Sequence, residues 1–162
     1  MNADEARKRT LETSTGYHSI WDSVTQIIND TAKLYAKLAI TDLNRGIETA
    51  SAHGVDSTGC NMYPFNFLWR DNRVGGVGKS GDELTVKEFF QNEIQKLNLP
   101  DEKFDHVKKF IRINMEHFWS LMMNDIREEF ESRGFKVSIP DFDNRPTGEN
   151  CIRISWAEAE HR

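Results

Sequence analysis

The feature of the sequence that most constrains the fold is a long apolar repeat, followed by two short alternating segments, within residues 103–156. Apolar residues recur every three or four positions along the repeat: Phe104, Val107, Ile111, Met115, Phe118, Met122, Ile126 and Phe130. This spacing predicts one long amphipathic helix that starts at about Pro100. Gly134 stands where a glycine commonly ends a helix, so the helix is predicted to stop there.

The two alternating segments that follow predict a β-hairpin. In residues 135–139 and 151–156, apolar and polar residues alternate, which is typical of strands with one buried face. A polar segment too long for a tight turn joins them. Trp156 continues the alternation of Ile152 and Ile154, so we expect its side chain to be largely buried. Helix and hairpin together form one packing unit.

Upstream of this unit, a second long amphipathic pattern runs from Ile20 to about His53, and Gly54 follows it as a helix-ending glycine. Residues 61–69 are rich in aromatic side chains and alternate in part, which predicts a strand. Pro64 cannot donate a backbone hydrogen bond, so this strand is expected at an edge of the sheet.

A further helix is predicted to begin at Thr85, because residues 85–88 have the form of a capping box. The segment before it, residues 70–84, contains several glycines and charged residues and is predicted to be a flexible loop. The sequence therefore predicts a single α+β domain over residues 1–162. Its two long helices and shorter helices pack on a small, mainly antiparallel β-sheet formed by residues 61–69, 135–139 and 151–156.

The charge and cysteine content narrow the class of protein. The formal net charge is −5, and the acidic excess lies in the second half of the chain, which disfavours nucleic acid as a partner. No apolar run reaches the roughly 18 residues of a membrane span, so no membrane partner is expected. Cys60 and Cys151 lie far apart and read as free thiols of a reducing cytoplasm, where we expect the protein to be located.

A glycine-rich motif, Gly75-Gly-Val-Gly-Lys-Ser80, resembles the phosphate-binding loop of the ParA/MinD-type ATPases, which reads Lys-Gly-Gly-x-Gly-Lys-Thr/Ser. In such loops, backbone N–H groups surround phosphates and the lysine contacts them. The resemblance implies an anion or nucleotide site formed by Arg73, Gly75, Gly76, Gly78, Lys79 and Ser80.

The rest of the sequence departs from that family. Arg73 and Val74 replace the leading glycine and the signature lysine, and Asp82 and Glu83 place two carboxylates beside the phosphate position. The fold of these ATPases needs a parallel sheet with several strands, whereas this chain predicts about three. An exposed connecting loop is therefore the favoured interpretation.

The remaining candidate sites are smaller. Trp69 and Arg70 form a candidate stacking patch, in which an aromatic ring and a cation face a base and a phosphate. Alternatively, Trp69 ends a strand in the core. The sets that could hold a metal lack the required spacing: His53, Cys60 and Cys151 for zinc, and Asp141, Asp143 and Asn144 for calcium. No metal site, catalytic residue or cofactor is predicted.

The ends of the sequence show a further resemblance. Arg133-Gly-Phe-Lys-Val137 and Ile152-Arg-Ile-Ser-Trp156, with the opening Ala3-Asp-Glu-Ala-Arg-Lys8, resemble segments of small uncharacterised proteins of tailed phages and large DNA viruses. The resemblance implies a viral origin and an α+β shape. We therefore expect a non-enzymatic viral or phage accessory protein that binds a host or virion protein. The alternative is a nucleotide- or phosphate-binding protein that uses the loop Gly75–Ser80.

Overall fold

The computed structural model describes residues 1–7, 9, 17–69, 81–145 and 148–158. After a short helical segment at residues 3–7, the described elements are helix α1 (Tyr17–Ala52), strand β1 (Ser57–Met62), a 3-10 helix (Phe65–Trp69), helices α2 (Gly81–Gln95), α3 (Asp101–Ile113) and α4 (Met115–Glu131), and strands β2 (Lys136–Ser138) and β3 (Asn150–Ser155). Helices packed on a small antiparallel sheet confirm the predicted α+β class.

Helix α1 has 36 residues and carries the apolar face that the sequence predicts. Its buried side chains follow the three- and four-residue spacing: Val24, Ile27, Ile28, Ala32, Tyr35, Ala36, Ala39 and Leu43. The helix ends at Ala52, and Gly54 has a φ of 76°, the left-handed conformation that glycine adopts after a helix end. The predicted helix and its end are confirmed.

The single helix predicted between Pro100 and Gly134 is wrong in one respect, because Asn114 divides it into α3 and α4. The Asn114 side chain donates a hydrogen bond of 2.9 Å to the carbonyl oxygen of Phe110, which also accepts the Asn114 backbone N–H at 3.1 Å. Asparagine favours such interruptions because its side chain competes for backbone partners. Ile111 and Met115 are buried on the two sides of the break. The apolar repeat therefore continues across Asn114 and does not indicate that the helix is interrupted.

The strand predicted at residues 61–69 is wrong over most of its length. Strand β1 lies earlier, at Ser57–Met62, and the segment Phe65–Trp69 is a 3-10 helix. Four consecutive residues of that segment are buried: Phe65, Asn66, Phe67 and Leu68. A strand on a one-sided sheet would bury only every second residue. Pro64, which has no N–H to donate, lies just after the end of the paired strand.

The sheet has the order β1-β3-β2, and both pairings are antiparallel. Cys60 lies opposite Ile152, and Val137 lies opposite Ile154. Ile152 and Ile154 are fully buried, whereas Arg153 between them is exposed. The predicted hairpin of β2 and β3 and its single buried face are confirmed.

Trp156 is partly buried, less completely than Ile152 and Ile154, so the prediction that it continues the buried alternation is met only in part. Strand β3 ends one residue earlier, at Ser155, and the alternation ends with it. The Trp156 backbone N–H donates a 3.0 Å hydrogen bond to the carbonyl oxygen of Asp56. Its ring meets the ring of Phe135 edge-on at a centroid distance of 6.0 Å.

Helix α2 begins at Gly81, four residues before the predicted capping box at Thr85. Residues 81–84, predicted as the end of a loop, are therefore helical. Asp82 and Glu83 lie in the first turn, where carboxylates stabilise a helix through its dipole. The buried face of α2 is formed by Val86, Phe90 and Ile94. Among the described helices, none is both long enough and apolar enough to cross a membrane.

Candidate functional site

All six residues of the predicted glycine-loop site lie outside the described residues: Arg73, Gly75, Gly76, Gly78, Lys79 and Ser80. The same holds for Arg70 of the predicted stacking patch. Trp69 is described, and it ends the 3-10 helix in a half-buried position. The guanidinium carbon of Arg112, on α3, lies 5.4 Å from the centre of its ring. The structure thus gives Trp69 a cation partner that the sequence did not indicate.

A cleft of about 410 Å³ is lined by Asn66, Arg112, Met115, Asn144 and Arg145, and we call it the arginine cleft. Three parts of the fold supply these residues: the 3-10 helix, the junction of α3 and α4, and the segment between β2 and β3. No sequence pattern predicted their proximity, because they are distant in the chain. Cavities of this size are typical of small-molecule sites.

One of the cleft arginines, Arg145, is held by a carboxylate two residues away. Its Nε and Nη2 atoms donate to the Oδ1 and Oδ2 atoms of Asp143 at 2.9 Å and 2.6 Å. Hydrogen bonds from Arg145 lower the pKa of Asp143. The Asp143 backbone N–H also donates to the Asn150 side chain at 2.7 Å. The sequence predicts that Asp143 lies in a polar turn. In the structure, its hydrogen bonds with Arg145 and Asn150 fix its orientation.

A second concave surface lies between α1 and α4, and we call it the helix groove. It has a volume of about 310 Å³ and is lined by Gln26, Asn29, Ala32, Lys33, Leu121, Met122 and Asp125. Ala32 and Met122 are buried, and Leu121 is 42% exposed. The groove therefore combines an apolar centre with polar and charged residues around it.

The core also contains a buried polar cluster. The Tyr35 hydroxyl donates a 2.9 Å hydrogen bond to Oε1 of Glu83, and its oxygen accepts the Tyr63 backbone N–H at 2.8 Å. Burial raises the pKa of Glu83, and the hydrogen bond from Tyr35 opposes part of this effect. Burial and the nearby Glu83 raise the pKa of Tyr35, which keeps its phenol protonated as a donor. The cluster joins α1, α2 and the residue after β1.

The two cysteines lie on neighbouring strands but at different register positions, since Cys60 faces Ile152 and Cys151 faces Asn61. Both are free thiols, as the sequence predicts. Burial, followed by the charges of Asp42 and Glu83, raises the pKa of Cys60 to about 12. A thiol held in this form is a weak nucleophile and a weak metal ligand.

The described residues contain no group of three or more His, Cys, Asp or Glu side chains close enough to hold a metal ion. His53, a candidate zinc ligand together with the cysteines, directly follows α1, and its Nδ1 atom lies 2.8 Å from the carbonyl oxygen of Thr49 in that helix. It therefore interacts with the end of α1.

No protein-family model, curated protein or solved structure matches this chain.

Proposed function

We propose that this chain is a non-enzymatic accessory protein of viral or phage origin, and that it acts in the host cytoplasm by binding a host or virion protein. The origin and the type of partner rest on the sequence resemblance carried by residues 3–8, 133–137 and 152–156. The binding surface that we assign to this function is the helix groove.

The observation that carries this assignment is the exposure of Leu121 above an apolar floor. Only a few large apolar side chains are exposed in the described part of the chain: Met1, Val55, Ile113 and Leu121. Of these, Leu121 also lines a concave surface, whose floor is formed by Ala32 and Met122. An apolar centre with a polar rim is the usual anatomy of a protein–protein interface.

The form of the groove indicates which kind of segment it accepts. A groove between two helices takes the apolar side chains of a third, amphipathic helix. Lys33 and Asp125 stand on the groove with opposite charges, so they favour a partner helix with charges of both signs beside its apolar face. We therefore expect the partner to contribute an amphipathic helix.

The test is site-specific photo-crosslinking in cells that contain the natural partners. With p-benzoylphenylalanine at position 121, we expect one defined protein adduct. The same group at Val55, which is 50% exposed but lies in the loop before β1, is the matched control and should give no such adduct. Leu121→Glu, with an unchanged melting temperature, should abolish capture of the identified partner. Equal adducts at both positions would contradict the assignment of the groove.

The second candidate function is phosphate or nucleotide binding by the loop Gly75–Ser80. One observation favours it: α2 begins at Gly81, directly after Ser80, as a helix follows a phosphate-binding loop. Another opposes it, because a 3-10 helix and an antiparallel sheet stand where those ATPases have a strand and a parallel sheet.

Calorimetry with ATP and GTP on the wild type and on Lys79→Ala separates the two functions. We expect no nucleotide binding that depends on Lys79, and a change in stability of less than about 0.5 kcal/mol, as for most surface substitutions. Micromolar binding that disappears in Lys79→Ala would favour nucleotide binding by the loop over partner binding by the helix groove.

A further inference from the structure

The arginine cleft is lined by two cations, and among the described residues one carboxylate, that of Asp143, pairs with them. Arg112 forms no ion pair with any described residue, and its guanidinium group lies over the ring of Trp69. Arg145 pairs with Asp143 through Nε and Nη2, and within the described residues its Nη1 atom makes no hydrogen bond. The described charges at the cleft therefore leave a local excess of positive charge in a protein whose net charge is −5.

Each arginine is exposed, but each has a contact that limits the freedom of its guanidinium group. The two-pronged contact with Asp143 fixes the plane of the Arg145 guanidinium, and the Trp69 ring supports that of Arg112. Fixed guanidinium groups bind anions better than flexible ones, because less side-chain freedom is lost on binding. Guanidinium groups also match the spacing of oxygen atoms in phosphate.

The side chain of Asn66 adds a polar group to the lining of the cleft. Asn66 is only 8% exposed and lines the cleft, yet its side chain makes no hydrogen bond with any described residue. The Asn66 amide atoms are not among the fully buried polar atoms without a partner in the described residues, so they face the water of the cleft. An amide that faces the cleft can donate hydrogen bonds to a ligand and accept them from it.

From this geometry we infer that the arginine cleft binds a small organic phosphate, with the phosphate at Arg112 and Arg145 and a polar part of the molecule at Asn66 and Asn144. The volume of about 410 Å³ is suited to a mononucleotide or a sugar phosphate. Met115, which is buried at the cleft, offers an apolar surface to the uncharged part. None of its lining residues belongs to the helix groove or to the segment Gly75–Ser80.

The ligand arms of the test are AMP, ribose 5-phosphate, adenosine, inorganic phosphate and succinate, titrated into the intact chain by calorimetry. We expect AMP or ribose 5-phosphate to bind at least about tenfold more tightly than adenosine and succinate. Inorganic phosphate should bind more weakly than the esters, because it leaves Asn66 and Met115 without contacts. Equal affinity for AMP and adenosine, equal affinity for the esters and inorganic phosphate, or no binding of either ester would overturn the inference.

The protein variants then locate the binding site. Arg112→Gln and Asn66→Leu should each weaken the binding of the phosphate ester by about tenfold or more. Arg153→Gln, which removes an exposed arginine on β3, is the matched control and should leave the affinity unchanged. Lys79→Ala should also leave it unchanged. Loss of binding in Lys79→Ala, with full binding in Arg112→Gln, would assign the phosphate to the glycine loop and overturn the inference.

If a cleft variant unfolds, the indole N–H resonance of Trp69 in the wild type provides a second measurement. Because Arg112 lies 5.4 Å from the ring centre, a phosphate at Arg112 should shift this resonance during the titration. The resonance is assigned by its absence in Trp69→Phe. A titration with AMP that shifts other indole resonances but not this one would contradict the site.

Discussion

The Tyr35 phenol donates a 2.9 Å hydrogen bond to Glu83 inside the core, although 48 residues separate them in the chain. The same oxygen accepts the backbone N–H of Tyr63 at 2.8 Å, so a single hydroxyl connects three parts of the fold. Tyr35 is 1% exposed and Glu83 is 2% exposed. In a buried environment, a hydrogen-bond network is strong when every polar group has a partner. Removing one group destabilises the protein, because it leaves its partners buried without a hydrogen bond.

Tyr35→Phe should therefore lower the free energy of unfolding by about 2–3 kcal/mol, because the Tyr63 N–H loses its acceptor and Glu83 loses a donor in the core. Urea denaturation measures the change. Tyr63→Phe is the matched control, since it also removes one phenol hydroxyl, but one that makes no hydrogen bond with a described residue. We expect the control to change stability by less than about 0.5 kcal/mol. Similar losses in both variants would contradict the role of the Tyr35 hydroxyl.

Glu83 should make the stability depend on pH. Burial raises its pKa above the ordinary value of 4.5, so the folded state holds this proton more tightly than the unfolded state does. The protonated Glu83 side chain therefore stabilises the folded state fully at pH values below the unfolded pKa. This stabilisation is lost as the pH rises through the raised, folded pKa.

The comparison that checks this is the free energy of unfolding of the wild type and of Glu83→Gln, measured from about pH 4 to pH 8. Glutamine keeps the acceptor for Tyr35 but cannot ionise. Relative to the wild type, Glu83→Gln should gain stability as the pH rises through this range. A difference between the two proteins that is constant with pH would show that Glu83 does not titrate in this way.

Cys60 should resist alkylation in the folded protein. With its pKa raised to about 12, roughly one thiol in ten thousand is a thiolate at about pH 8. Iodoacetamide treatment under native conditions, followed by peptide mass spectrometry, should leave Cys60 unmodified, and prior unfolding in guanidinium chloride should make it reactive. Equal alkylation rates in the two states would contradict the assigned environment of Cys60.

Gly46→Ala should destabilise the protein, although alanine normally stabilises a helix by roughly 1 kcal/mol relative to glycine. A Cβ atom at position 46 would overlap with the Oγ1 atom of Thr58, because α1 passes close to β1 at this point. The expected loss is about 1–3 kcal/mol, typical of overpacking. Thr58→Ala should reduce this loss in the double variant, as thermal unfolding of all four proteins would show. Additive effects of the two substitutions would contradict the contact.

The elements that could be predicted from the sequence are those set by local patterns. The three- and four-residue spacing located α1, and alternation located the hairpin of β2 and β3. Gly54 and Gly134 were correctly interpreted as helix-ending glycines, since both have positive φ values. In each case, the residues that form the sequence pattern are the same neighbouring residues that form the helix, strand or helix end.

The errors arise where a distant contact or a single side chain decides the structure. Asn114 interrupts a helix without disturbing its apolar repeat. Glu83 helps to start α2 early, and its partner Tyr35 lies on another helix. The arginine cleft could not be predicted, because Asn66, Arg112 and Arg145 come from separate elements and no short motif connects them. For Trp69, the sequence indicated the ring but not the arginine that covers it.

The strand order β1-β3-β2 also has a consequence for the synthesis of the chain. The central strand, β3, is made after both of its neighbours, so neither β1 nor β2 has a sheet partner until residues 150–155 have left the ribosome. The helices can form earlier, because their hydrogen bonds are local. Until β3 arrives, the nascent chain carries two unpaired strands, which are the surfaces that chaperones commonly protect.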